Sequence, residues 1–178
     1  PPSDHTHAPR PHARAAAARA SAPPSRGVDV GVIASAGGQV MAITPDPVFI
    51  VPAYGWERAA WFALHILASD AATSGLKPTY LTIDLNLPLA MDMDGLNAIW
   101  TTIHRECEKL GIAIVAGHTA RYDGCDFPMV GGATVISVGP EDSYVVPTMA
   151  QVGDAVIGTK GAAIGETGRC GGSVPTPG

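Results

Sequence analysis

The ten residues TYLTIDLNLP, 79–88, alternate Tyr80, Thr82, Asp84 and Asn86 with Leu81, Ile83, Leu85 and Leu87. Period two with a branched aliphatic at every second place describes a strand that is dry on one face. The other face is polar enough to meet water or a second sheet. Such a strand needs cover on its dry side only, and the flanking sequence supplies it. Between Trp56 and Ser74, Trp61, Leu64, Ala68 and Ala71 recur at helical spacing, and Gly75 provides a C-terminal stop. From Asp92 to Leu110, Leu96, Ile99, Ile103 and Leu110 fall on one side, with Asp92 or Asp94 as cap and Gly111 at the end.

The remaining β-branched runs extend this helix-covered strand into a sheet. VDVGVI (28–33) and QVMAITPDPVFIV (39–51) flank the turn-like SAGG and predict a hairpin. IAIVAG (112–117) reads as a buried strand entering a polar loop, GHTARYDGCDFP. MVGGATVISVG (129–139) is a further strand, and GDAVIGTKG (153–161) a short one. The order β-β-α-β-α-β-β predicts an α+β fold, a mixed sheet with helices on one face. A parallel dinucleotide fold would need more regular alternation and a GxGxxG after a strand, and there is none.

At 178 residues the chain can bury one sizeable core. A net charge of -5 with 15 % charged residues gives no broad basic surface for a nucleic-acid backbone, so nucleic acid is excluded as a first partner. Cys107, Cys125 and Cys170 are odd in number, widely spaced and without a CxxC, which fits a reduced, cytoplasmic protein. No apolar run approaches the roughly 20 residues that span a bilayer, so no membrane partner is expected. Residues 1–26, rich in Pro, Ala and Arg, predict a disordered tail, in which Asp4, His5, His7 and His12 lack the preorganised surroundings a metal site needs. The main domain is expected over 27–148. Residues 149–178 lack apolar periodicity beyond the short strand and read as the opening of a second domain that the chain does not complete.

The residues with chemistry to offer are acids and one short polar run. Hard divalent cations take oxygen ligands, usually one or two carboxylates with substrate phosphates and water, and Asp29, Asp46 and Asp70 lie next to turns where separate elements could bring them together. Asp70 is the sharpest, an acid in an Ala- and Leu-rich helix, where an unpaired buried carboxylate is costly. Taken alone it is better explained as a capping or solvent-facing residue, and Asp46 in TPDP as ordinary turn chemistry. His118 in GHT offers a phosphate donor, a base or a plain loop histidine. Asp123 and Asp126 read as solvated. Lys160 could reach a phosphate, although no Gly-rich Walker pattern precedes it.

ITPDPVFI, GWERAAWFALHILASDAATSGLKPTYL, GIAIVAGHTA and GDAVIGTKGAAIGETG together resemble the superfamily of aminoimidazole ribonucleotide (AIR) synthetase, hydrogenase maturation factor, thiamine monophosphate kinase and selenophosphate synthetase. The resemblance runs from about Val28 to Gly168, covers the ATP-binding N-terminal domain, and is strongest to AIR-synthase-related, hydrogenase-maturation-like proteins. It implies that Asp29 stands for one acid of the family's pair, with Val28 in the other place, and that Thr44 and Asp46 match its Thr-x-Asp. Ser69, Asp70, Gly75 and Pro78 match its Ser-Asp helix motif. Gly117, His118 and Thr119 match its Gly-Gly-acid-Thr loop, with a histidine where some relatives carry an acid. It further implies Mg²⁺ on Asp29, Asp46 and Asp70, and ATP on Thr44, Gly117, His118, Thr119 and Lys160. The implied assembly is a homodimer whose sheets share a barrel, and the implied reaction phosphorylates an amide or carboxamide oxygen of a small-molecule or protein-bound substrate. Thiamine monophosphate kinase-like phosphoryl transfer, and a non-catalytic dimerisation or assembly module, are the alternatives.

Overall fold

The computed structural model describes residues 20–22 and 28–158. Its strands are β1 (Ala20–Ala22), β2 (Gly31–Ala34), β3 (Gln39–Phe49), β4 (Pro78–Pro88), β5 (Ala113–Tyr122) and β6 (Met129–Pro140), and its helices are α1 (Trp56–Ala72) and α2 (Met93–Leu110). Short 3-10 turns occupy Pro52–Tyr54 and Pro147–Met149. The six strands form one mixed sheet in the order β1-β2-β3-β6-β4-β5. All neighbours are antiparallel except β4 and β5, which run parallel and are joined by α2 as their crossover.

The dry face of β4 is the centre of the core. Leu81, Ile83, Leu85 and Leu87 are at most 2 % exposed, each contributing about 1.5–3 kcal/mol by burial. Against them pack Ile99, Ile103 and Cys107 of α2 and a stripe of α1 made of Ala59, Ala60, Ala63, Leu64, Leu67, Ala68 and Ala71. The small alanines let α1 lie close to the sheet. Trp61, expected on that stripe, instead faces outward and stacks on His65 with ring centroids 4.1 Å apart. Small residues one and two places along occupy the buried side, where an indole would hold the helix away.

Helix α2 ends where local chemistry dictates. The Asp92 carboxylate accepts the Gly95 N–H at 2.6 Å as its N-cap, and Gly111 closes the helix in the left-handed region at φ 71°. The two helices are joined through Glu106, whose side chain is 5 % exposed. It accepts from Lys109 Nζ at 2.8 Å and Arg105 Nε at 3.1 Å and meets His65 Nε2 of α1 at 3.4 Å. The Lys109 ammonium, followed by the bonds from Arg105 and His65, outweighs burial and holds the Glu106 carboxyl at about 2. Burial, reinforced by the Glu106 charge, pushes the neighbouring Cys107 thiol up to about 11.

Three expectations need correction. GHTARY is no loop: residues 117–122 continue β5, because pairing with β4 persists as far as Pro88 opposite Tyr122. Residues 153–158 form no strand. Ala20–Ala22, read as part of a disordered tail, pairs with β2. Asp4, His5, His7, His12, Lys160 and Cys170 lie outside the described residues.

Candidate functional site

The helices cover one face of the sheet, and the register fixes what the other face presents. Residues paired across neighbouring strands share a face. One transverse row therefore runs Pro47, Gly132, Asp84, His118 through β3, β6, β4 and β5, and the next runs Pro45, Thr134, Thr82, Ala116. These two rows make the polar half of the open face. The other half is apolar: Ile43, Ile136 and Tyr80 form one row, and Ile33, Met41 and Val138 the next.

An open cleft of about 510 Å³ lies over the polar rows, lined by Pro45, Asp46, Pro47, Thr82, Asp84, Gly131, Gly132, Ala133 and Thr134. Its volume is in the range of small-molecule sites, roughly 300–1,000 Å³. Asp84 is exposed and supplies negative charge. Beside it on β5, His118 Nε2 is 2.7 Å from the Tyr122 hydroxyl, and the two rings stack at 6.2 Å. A second concavity of about 330 Å³ at the β5 edge is lined by Ile83, Trp100, Ile114, Val115, Ala116, Gly117, His118 and Thr119.

The Gly117, His118 and Thr119 run is thus divided by the strand it belongs to. His118 lies in the open-face row with Asp84, whereas Gly117 and Thr119 pair with Ile83 and Leu85, whose side chains enter the helix-side core. The glycine is required by packing, since a Cβ at 117 would collide with the Ile83 carbonyl oxygen. The register shift that leaves Val115 as an extra residue sets this alternation.

Thr44 lies on β3 beneath the helices, 1 % exposed, and its hydroxyl has no hydrogen-bond partner; the same holds for Ser137 diagonally across on β6. Asp46 is half-buried and lines the cleft, although its partner Ala133, and Ile83 beyond it on β4, belong to the helix-side core. Asp29 is exposed ahead of β2. Asp70 sits half-buried in the last turn of α1, its carbonyl accepting from the Thr73 hydroxyl at 2.6 Å. Among the described residues no three His, Cys, Asp or Glu side chains form a group suited to a metal ion. Asp29, Asp46 and Asp70 therefore do not fit a preformed Mg²⁺ shell within one chain. Asp84 was passed over in the sequence because its alternation marked only a polar strand face; the signal that singles it out is its register beside Gly132 and His118.

The model of AIR synthase related protein, N-terminal domain, matches residues 27–155. A thiamine-monophosphate kinase of Aquifex aeolicus (strain VF5) is 27 % identical over 111 residues, 62 % of this chain and 34 % of the relative; the chain thus spans about a third of that enzyme's length. Three solved structures share the fold. AaThiL complexed with AMPPCP and TMP, from Aquifex aeolicus, is 23 % identical with a TM-score of 0.55, over 68 % of this chain and 39 % of the other. A HypE-HypF complex is 22 % identical at 0.51, over 62 % and 35 %. Thermotoga maritima PurL complexed with ATP is 16 % identical at 0.55, over 66 % and 21 %. With the matched region covering most of the helix-backed sheet described above, the chain belongs to the family of AIR synthase related proteins, through their N-terminal domain.

Proposed function

We propose that this chain is the nucleotide-binding domain of an AIR-synthase-related enzyme, and that it takes ATP at the open face of the sheet. The observation that carries the reading is the polar cleft over Thr82, Asp84, Gly132 and Thr134, with His118 beside it, on a fold shared with proteins solved with AMPPCP or ATP. His118 would face the phosphates from the open face and Thr119 from the β5 edge, His118 carrying less negative charge there than the acid some relatives have. Lys160 belongs to the same proposal from outside the described residues. Thr44 would act from beneath the sheet, by shaping β3 around Asp46.

Mg²⁺ is proposed to arrive with the nucleotide, since such ions are held mainly by phosphates and water with one or two carboxylates. Asp46, which lines the cleft, is the best placed of the three acids; Asp29, ahead of β2, and Asp70, in α1 on the helix-covered side, are proposed as ligands that only a rearrangement on nucleotide binding would bring to the metal. In the complete enzyme the γ-phosphoryl group would pass to an amide or carboxamide oxygen, releasing ADP. The thiamine monophosphate kinase-like reaction is the second reading, favoured by the 27 % identical relative. A domain kept for assembly without chemistry is the third.

Homodimerisation is part of the proposal. The rows Ile43, Ile136, Tyr80 and Ile33, Met41, Val138 leave an apolar half-face beside the cleft, with Tyr80 39 % and Val138 37 % exposed, and a second copy of the sheet would cover it.

Calorimetric titration with ATP, with and without Mg²⁺, tests the reading. We expect Mg²⁺-strengthened binding that Asp46→Asn and Asp70→Asn each weaken while thermal unfolding stays cooperative. Binding by neither nucleotide form would leave only the assembly module; unchanged affinity in both variants would remove the metal assignment.

A further inference from the structure

The helix-covered face of the sheet carries two apolar clusters. Val48, Ile50, Ala133 and Val135 belong to the larger, with α1 and α2, and Val32, Val40, Ala42 and Leu76 to the smaller. On β3 and β6 polar residues part the two: Thr44 and Asp46 stand between Ala42 and Val48 on that face, and Ser137 follows Val135. Asp46 lines the cleft. Thr44 and Ser137 do not: each is 1 % exposed, and among the described residues neither hydroxyl has a hydrogen-bond partner. Ser74, buried just past the end of α1, shows the usual arrangement, donating to the Ala71 carbonyl at 2.7 Å and accepting the Leu76 N–H at 3.2 Å.

An unpaired hydroxyl in the core gives up the bonds it makes to water in the unfolded chain, so two in one place call for a common partner. Thr44 pairs with Val135 and Ser137 with Ala42, which makes them diagonal neighbours on one face. Their Cβ atoms then lie about 7 Å apart. That is too far for one hydroxyl to reach the other directly and suits one small molecule between them, since two bonds of about 2.8 Å end to end span up to about 5.6 Å. The α1 stripe that lies over β3 and β6 is mostly alanine, which leaves room. Both hydroxyls are neutral, and each can donate and accept. The molecule that fits is therefore neutral, of one heavy atom, and itself both donor and acceptor, which describes water.

We propose that Thr44 and Ser137 are the binding site of one internal water, which accepts a hydrogen bond from one hydroxyl and donates one to the other. The water ties β3 to β6 from the helix side, next to Pro45 and two residues from Asp46, both of which line the cleft. It adds a side-chain link to the backbone ladder behind the cleft wall, and it holds whether or not the cleft takes a nucleotide. The seam between the two clusters then has its hydrogen bonds complete, and β3 passes from one cluster to the other without an orphaned group.

Two measurements on the whole chain test the site. Oxygen-17 relaxation dispersion counts long-lived internal waters, and the parent should hold one more than the double variant Thr44→Val, Ser137→Ala. Thr44→Ser keeps the hydroxyl and should keep the water. Urea unfolding then compares the parent, both single variants and the double. Each single variant strands the remaining hydroxyl and should raise the unfolding equilibrium constant about fivefold, whereas the double removes both polar groups and should unfold no more readily than the worse single. Equal water counts in the parent and the double variant overturn the site, and so do single effects that simply add in the double. Should Thr44→Val fail to fold, Ser137→Ala alone decides by its count: one water fewer supports the site, and an unchanged count overturns it.

Discussion

Glu106 shows how one side chain can join two elements. It lies in α2 and reaches His65 of α1 while Lys109 and Arg105 bond it from its own helix. A carboxyl held at about 2 against an ordinary 4.5 stays charged in the folded chain over a range where the unfolded chain takes up a proton. Its contribution is therefore complete above about pH 4.5 and is lost as pH falls from there toward 2. Glu106→Gln should lower stability at neutral pH and flatten that acid limb, as read by urea unfolding across pH 2.5–7 at intervals of about half a unit. An acid limb of unchanged slope in the variant would show that the carboxylate does not hold the helices together. The periodicity of α2 could not reveal Glu106, because it places the acid among polar neighbours; its partner on α1 lies 41 positions away.

The helices and central strands were legible because each carries its own boundary chemistry. Asp92 and Gly111 fix α2 at both ends, and Asp92→Ala should cost about 1 kcal/mol of stability in a denaturant titration, with a change below a few tenths meaning that the cap is idle. Strand β4 was legible because four aliphatic residues in strict alternation admit one pleated arrangement. Strand β5 was only half legible. AGHTARY lacks an aliphatic alternation, since as the terminal strand it is exposed through most of its length and its existence is dictated by pairing with β4 rather than by burial. The same cause hid the site. Asp84 and His118 become neighbours only through a parallel register set by the extra residue at Val115, and Gly132 acquires meaning only when β6 is laid between β3 and β4. Asp46 and Asp70 were readable as acids near turns, but their mutual placement depends on how α1 crosses the sheet, which no local pattern encodes.

Viewed whole, the domain has one finished face and one unfinished one. The helix side is closed by alanine, leucine and isoleucine, while the opposite face is split between an apolar half and a polar cleft. A second copy over the apolar half would leave the cleft at the margin of the contact. Light scattering should accordingly give twice the chain mass, and a folded chain of single mass at about 100 µM would remove the shared-sheet assembly. The order β3-β6-β4 also bears on how the domain comes together. Residues 31–72 can form a hairpin with its helix, and 78–122 a strand-helix-strand unit, but each half then ends in a bare edge, on β3 and on β4. Only residues 129–140 supply the strand that both edges share. Because residues 129–140 are also the last of the sheet to be synthesised, this order leaves both edges without their shared partner until β6 emerges, so the late strand is a keystone and the interval before it is when the chain is most open to pairing with others.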